Sequence, residues 1–167
     1  LEPWIRKEAM FNLEMIKYLP ELSWENIEVK KNKSYNTDSA DYQLKVSFRN
    51  TGKLPTALKQ AHLVKIVTDD RVVLDLDTAG LASGKLGYKV IEDEKSSKAR
   101  EAKDRSDDYE KVVQKRVVSK NVPDTQGGSV TTAIFNIRLY KGTEIKGKAR
   151  VFSTRGGVLK DKEFSIR

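Results

Sequence analysis

The segment from Asp41 to Thr56 limits the fold more strongly than any other part of this chain. Apolar and polar side chains alternate from Tyr42 to Arg49, which predicts a β-strand with one buried and one solvated face. The Asn-Thr-Gly sequence that follows tolerates positive φ, and Pro55 restricts the residue before it while removing a backbone donor. The strand is therefore predicted to stop at a structural turn formed by Asn50, Gly52, Leu54, Pro55 and Thr56.

The first 20 residues show a helical pattern instead. Pro3 suits a first helical turn, and Pro20 ends the helix because proline cannot continue its hydrogen bonding. One face of this helix carries Trp4, Phe11, Met15 and Tyr18, and an adjoining stripe carries Ile5, Ala9, Ile16 and Leu19. So wide an apolar face predicts that residues 1–20 either lie against the following sheet or end a preceding domain. The face with Trp4 is a candidate interaction surface.

Residues 21–167 follow a two-residue period. The predicted strands are 24–31, 42–49, 63–67, 72–76, 88–91, 130–140, 145–153 and 158–166. Turn signals separate them, among them Asp69-Asp70 and the Gly156-Gly157 turn of a final hairpin. The pattern predicts a mainly β fold, an immunoglobulin/fibronectin-like antiparallel β-sandwich over 21–167 with one N-terminal helix.

An inserted arm is predicted over residues 88–119. Its centre, Glu92 to Asp108, has no large apolar residue and cannot contribute to a core. Short β-branched runs flank it, Tyr88–Ile91 on one side and part of Tyr109–Ser119 on the other. We expect these runs to pair with each other and to form a protruding hairpin with a charged tip.

The residue types exclude several kinds of chemistry. The chain has no cysteine, so it has no disulfide, thiolate metal ligand or cysteine nucleophile. His62 is the single histidine, and no serine lies in a Gly-x-Ser-x-Gly elbow. His62 is interpreted as a polar residue near the start of a strand. We therefore predict that this chain is not an enzyme and holds no catalytic residue, cofactor or metal ligand.

Acidic pairs offer an alternative to that interpretation. Asp69-Asp70, Asp75 with Asp77, and Asp107-Asp108 have the spacing of a calcium site or a glycosidase pair. Asp75 and Asp77 would share one strand face, but that spacing arises on any solvated face, because alternate residues of a strand point the same way. We favour the solvated face.

The net charge of +8 raises the question of an anionic partner. The basic residues are spread along the chain among acids, with no recognition helix or phosphate loop, so nucleic-acid binding is not predicted. No apolar run approaches the roughly 18 residues that a membrane-spanning helix needs, and membrane insertion is not predicted. Lys146, Lys148 and Arg150 share one strand face and are a second candidate interaction surface, suited to an acidic glycan.

Three stretches carry a resemblance to a known family. They are EAMFNLEMIKYLPEL at Glu8–Leu22, RNTGKLPTALKQA at Arg49–Ala61 and VFSTRGGVLKDKEFSI at Val151–Ile166. The chain resembles the non-catalytic C-terminal β-sandwich region that follows the peptidase domain in large bacterial zinc carboxypeptidases. The stretches look like the helix that closes the catalytic domain, the Asn-x-Gly-x-Leu-Pro-Thr turn and the last hairpin. The charged stretch Glu92–Asp108 departs from the family pattern.

The resemblance implies an accessory domain whose partner is an upstream catalytic domain of the same chain. Zinc would then be bound only in that upstream domain, and the protein would be exported to the periplasm or cell surface. A free-standing adhesion or glycan-binding sandwich is the alternative function. A third hypothesis, an unrecognised hydrolase, requires a cleft that holds His62 beside an acid and a hydroxyl.

Overall fold

Two helices and nine strands follow one another along the part of the chain that the structure describes. The computed structural model describes residues 2–32, 38–77, 87–91, 116–140 and 143–167. In chain order, the elements are Glu2–Ile16 (α1), Leu22–Lys31 (β1), Ser39–Asn50 (β2), Lys59–Leu63 (α2), Asp70–Leu76 (β3), Tyr88–Ile91 (β4), Val117–Val122 (β5), Val130–Tyr140 (β6), Ile145–Ser153 (β7), Gly157–Val158 (β8) and Lys162–Ile166 (β9).

The strands form two antiparallel sheets. One has the order β1-β2-β6-β4, and the other has the order β5-β3-β7-β8, with β9 also paired to β7. The pairing registers are antiparallel throughout, for example Leu44 opposite Phe135 between β2 and β6. This architecture confirms the mainly β prediction and is consistent with a β-sandwich that carries one N-terminal helix.

The core consists of the inward-facing residues of both sheets. On β2, Leu44, Val46 and Phe48 are fully buried, and on β3 the same is true of Val72, Leu74 and Leu76. Polar or charged neighbours of these residues lie on the opposite face, as the alternation predicted. Removing these side chains from water drives the two sheets together, at about 25 cal/mol per Å² of apolar area.

The predicted final hairpin is also confirmed. Strand β7 pairs with β8 and β9 after a turn at residues 154–156, and the predicted single strand 158–166 is interrupted at 159–161. Gly157 has a φ of 78°, in the left-handed region that favours glycine. The turn chemistry and the strand alternation therefore agree, which explains why this hairpin could be read from the sequence.

The predicted strand at 63–67 is wrong. Residues Lys59–Leu63 form the short helix α2, and Ala57, Ala61 and Val67 make a second small core beneath it. The apolar run that suggested a strand contains Leu63, Val64 and Ile66, which are 81%, 64% and 64% exposed. A strand is predicted on the assumption that its apolar residues are buried. These three are exposed, so the run does not form a strand.

The described ends of the predicted arm do not pair with each other. Strand β4 pairs with β6 in one sheet, and β5 pairs with β3 in the other sheet. The predicted return of 109–119 onto Tyr88–Ile91 is therefore wrong for residues 117–119. Strand β4 pairs with the longer β6 and strand β5 with the longer β3, and both of these longer strands contribute more buried side chains. Residues 92–115, including the charged tip, lie outside the described residues.

Candidate functional site

Helix α1 has no buried residue along its 15-residue length. The predicted interaction residues Trp4, Phe11 and Met15 are 79%, 63% and 43% exposed. Further large apolar side chains cover its other sides; they are Ile5, Met10, Leu13 and Ile16, all of them exposed. These apolar side chains are interspersed with charged ones, and folded proteins normally bury the apolar side chains of a helix, so α1 presents a surface typical of a contact.

The predicted turn fixes where α1 joins the sandwich. The Leu54 amide donates to the Tyr18 carbonyl at 2.9 Å, and the Thr51 amide donates to the Glu21 carbonyl at 2.7 Å. Lys53 Nζ lies 4.4 Å from the centroid of the Tyr18 ring. The structure thus brings Tyr18, the last residue of the predicted apolar face, together with the turn. In the sequence the two belong to separate predicted elements.

Asn50 is the centre of this junction and is fully buried. Its Oδ1 accepts from the amides of Glu21 and Gly52 at 3.1 and 3.0 Å. Its Nδ2 donates to the carbonyls of Leu54 and Thr125 at 2.7 and 3.1 Å. All four hydrogen-bonding positions of the side chain are therefore used.

Gly52 is required for a reason that the sequence did not show. The Asn-Thr-Gly pattern suggested a positive φ, but among the described residues positive φ occurs only at Lys65, Gly128 and Gly157. Instead, a Cβ on Gly52 would lie 2.0 Å from the Leu19 carbonyl oxygen and 2.8 Å from Pro20 Cα. The residue must be glycine because another stretch of backbone approaches it.

A buried polar network continues from the turn. Thr56 Oγ1 donates to Asp70 Oδ2 at 2.7 Å, and the Thr125 amide donates to Thr56 Oγ1 at 2.9 Å. Thr125 Oγ1 lies 3.3 Å from Asp70 Oδ2 and 2.9 Å from Thr131 Oγ1, and its single proton is donated to one of them at a time. Asp70 therefore has a structural role in fixing the turn to β3. Of the predicted acidic pair Asp69-Asp70, only Asp69 is exposed.

An apolar cleft opens where α1 meets the turn. It has a volume of about 270 Å³ and is lined by Leu19, Pro20, Leu54, Pro55, Leu58 and Arg155. Sequence reasoning missed this cleft because its walls come from three distant segments. The two prolines restrict the backbone on both sides of it, so its shape is preformed.

His62 lies between two carboxylates. Its Nε2 is 2.7 Å from Asp124 Oδ2, and its Nδ1 is 3.8 Å from Asp69 Oδ1. These three residues form a group whose ligand atoms lie within 4.8 Å of one another. No local pattern signals this group, because Asp124 is 62 residues from His62.

The arrangement suits a bridge better than a metal centre. An imidazole binds a metal through one nitrogen while the other nitrogen contacts a second carboxylate. Each ring nitrogen has a different aspartate as its neighbour, so these side chains contact one another directly. One histidine with two carboxylates is also a poor ligand set for zinc, in which histidine or cysteine is prominent. The contacts instead fasten α2 to the loops that hold Asp69 and Asp124.

The basic row on β7 lies beside acidic residues. Arg150 donates to both carboxylate oxygens of Asp161, at 2.6 and 2.7 Å. This hydrogen bonding lowers the pKa of the Asp161 carboxyl and raises the pKa of the Arg150 guanidinium. Lys148 Nζ is 3.7 Å from Glu163 Oε1. Two of the three side chains predicted to attract an anion, Lys148 and Arg150, therefore have acidic partners within the chain.

Lys146 and Lys148 line a groove of about 720 Å³ on the same sheet. The other charged residues of the groove are Asp75, Asp77, Arg116 and Glu163. Arg116 Nε is 3.2 Å from Asp75 Oδ1. With three acids and three bases, the groove offers neither an anion nor a cation a clear electrostatic preference.

Among the described residues, no helix has both the length and the apolar character needed to cross a bilayer.

Comparisons with known proteins give a family and distant structural similarities. No curated protein matches the chain in sequence. A solved structure of a protein from Archaeoglobus fulgidus shares 12% identity, covers 87% of this chain and 98% of that chain, and has a TM-score of 0.31, which is too low to carry an argument. The family match covers residues 21–162, from β1 to the first residue of β9, and leaves α1 outside. The chain therefore belongs to the family described as "Domain of unknown function (DUF8731)".

Proposed function

We propose that this chain is a non-catalytic interaction module whose helix α1 docks on another folded polypeptide domain. The observation that carries the proposal is that no residue of α1 is buried, although seven of its side chains are large and apolar. The sandwich supplies a rigid base, and the hydrogen bonds from Thr51 and Leu54 hold the chain where α1 leaves it.

Physical chemistry supports docking over an isolated helix. Helices shorter than about 12–15 residues are marginal in water, and most helical stability in proteins comes from packing of an apolar face. Burying a side chain the size of Phe11 or Met15 stabilises a contact by about 1.5–3 kcal/mol. Within the described residues α1 gains none of this, so a partner domain would supply it.

The resemblance suggests the identity of that partner. Residues Glu8–Leu22 look like the helix that closes the catalytic domain of bacterial zinc carboxypeptidases. We propose an upstream catalytic domain of this kind, in the same polypeptide and exported, as the surface on which α1 docks. Zinc and peptide hydrolysis would belong to that domain, with no metal-binding role for His62 here.

The glycan-binding alternative has weaker support. It rests on Lys146, Lys148 and Arg150, and the last two of these are paired with Glu163 and Asp161. An acidic glycan would have to displace these partners, and the remaining groove is mixed in charge. The apolar surface of α1 has no such competitor among the described residues, and it is therefore the better-supported site.

Deleting Glu2–Ile16 tests whether α1 is free to dock. Because α1 buries no side chain, we expect the free energy of unfolding of the sandwich to change by less than about 0.5 kcal/mol. Binding of an apolar dye should fall, since the exposed side chains are lost. Urea unfolding followed by the circular dichroism of the strands, with dye binding on the same samples, measures both quantities.

Leu44→Ala is the matched control for this measurement. Leu44 is fully buried, so its truncation should cost about 2–5 kcal/mol and show that the assay detects lost packing. If the deletion lowers the free energy of unfolding by about 2 kcal/mol or more, α1 packs on its own sandwich and the proposal fails.

A further inference from the structure

The surface around the cleft at the end of α1 is apolar and has a basic rim. We define the end patch as Leu19, Leu54, Leu58, Leu63, Val64 and Ile66. All six are exposed, from 39% for Leu54 to 81% for Leu63. Three of them line the 270 Å³ cleft, and the other three follow it along α2 and the next turn.

The rim consists of Lys53, Lys59, Lys65 and Arg155. The first three lie in residues 51–68, a stretch without any Asp or Glu, and Arg155 lines the cleft itself. In the part of the chain that the structure describes, none of the four forms an ion pair. Lys53 Nζ lies over the Tyr18 ring, and none of the four cations has a carboxylate of the described chain as an ion-pair partner.

Other basic side chains on the sandwich differ in this respect. Arg49, Arg138 and Arg150 each hold a carboxylate at 2.6–2.8 Å. Of the acids in neighbouring segments, Glu14 pairs with Lys17, whereas Asp69 and Asp124 flank His62. Counted as formal charges, Glu21 at the junction and the two aspartates beside His62 supply three negative charges, against the four cations of the rim.

We propose that the end patch binds an acidic amphipathic polypeptide segment, with an apolar side chain in the cleft and carboxylates against the rim. The inference rests on the proposed function and deepens it, since it names the chemistry of the partner next to the docking helix. Opposite charges at a rim raise association rates and set specificity, while the apolar centre supplies most of the affinity.

A polypeptide fits this surface better than a lipid bilayer does. The cleft is concave and walled by Pro20 and Pro55, so it accepts a protruding side chain. Lipid-bound proteins instead insert apolar side chains of their own into the headgroup region. Anionic vesicles are therefore a comparison arm of the test.

The test uses the complete chain and two synthetic helical peptides of about 16 residues, a length at which an isolated helix can form. Both carry leucine at positions i, i+3, i+4 and i+7; one has glutamate and the other lysine at the remaining positions. We expect the glutamate peptide to bind at least tenfold more tightly in fluorescence anisotropy. Because rim charges are screened by salt, the preference should shrink to less than twofold at about 1 M NaCl.

Variants locate the binding site. Lys59→Glu with Lys65→Glu, and separately Leu58→Asp, should each weaken binding of the glutamate peptide at least tenfold. Lys30→Glu with Lys160→Glu makes the same charge change away from the patch and should alter binding less than twofold. Circular dichroism of every variant shows that the fold is kept.

Four results would overturn this inference. They are equal affinity for the two peptides, no binding of either peptide, unchanged binding by the rim variants, and tighter binding to phosphatidylserine vesicles than to the glutamate peptide. Phe11→Asp separates the two proposals. If it abolishes binding while the rim variants bind normally, α1 alone is the docking surface, and the proposed function stands without the end patch.

Discussion

Replacing Gly52 with valine is expected to lower the free energy of unfolding by about 3 kcal/mol or more. A Cβ at this position would lie 2.0 Å from the Leu19 carbonyl oxygen, and both groups belong to backbone that cannot move independently. Overpacking in a rigid site typically costs about 1–3 kcal/mol and sometimes more. The Thr51 and Leu54 hydrogen bonds to residues 18–21 would lengthen as well. Urea unfolding of both proteins measures the difference.

Gly157→Ala is the control for the close contact between position 52 and the backbone of Leu19, because it adds a Cβ to a glycine that no other backbone approaches. Gly157 has a φ of 78°, but a Cβ added there would have nothing within 4 Å, so the substitution should cost only about 1–2 kcal/mol of backbone strain. A Gly52→Val protein as stable as the parent would show that residues 19–20 do not approach the turn, and that α1 leaves the sandwich differently.

Replacing Asn50 with alanine should have an effect of similar size. The side chain makes four hydrogen bonds, and its loss leaves two amides and two carbonyls without these partners in a buried site. Each unsatisfied buried group costs about 1–3 kcal/mol, although water entering the space will reduce the sum. We expect a loss of about 4 kcal/mol, measured by thermal and urea unfolding.

Asn50→Asp tests the proposed orientation of the amide. A carboxylate keeps the acceptor for Glu21 and Gly52, but it replaces the donor that faces the Leu54 and Thr125 carbonyls. It should therefore destabilise the sandwich as much as alanine does. Asn121→Ala, at an exposed position of β5, should change stability by less than about 0.5 kcal/mol. Tolerance of Asn50→Asp would mean that Nδ2 makes no important contact.

Local patterns were sufficient for most of the strands. Alternation at Tyr42–Arg49 and Ala133–Leu139 predicts their buried faces because a half-buried strand needs apolar side chains at every second residue. The last hairpin was predictable because its glycine occupies a left-handed conformation. The importance of the turn after β2 could also be seen, through Gly52 and Pro55, although the reason for the glycine could not.

What the sequence did not show depends on distant contacts. No feature of the apolar run Leu63–Ile66 predicts that it stays exposed. In the structure Ala57, Ala61 and Val67 form the small core under α2, and Leu63, Val64 and Ile66 remain outside it. The assignment of β4 and β5 to opposite sheets depends on which longer strand each one meets. The cleft and the His62 bridge join segments that are far apart in the chain, and the periodicity of a sequence does not predict contacts between distant segments.

Hydrogen exchange of the α1 amides tests the central claim most directly. It should be measured in the 167-residue chain and in the protein isolated with its partners from the cells that make it. We predict that residues 6–16 exchange rapidly in the chain alone, because an unpacked short helix opens easily. In the native assembly they should exchange as slowly as the core amides of β2. Rapid exchange in both samples, or slow exchange in the chain alone, would contradict a docking role for α1.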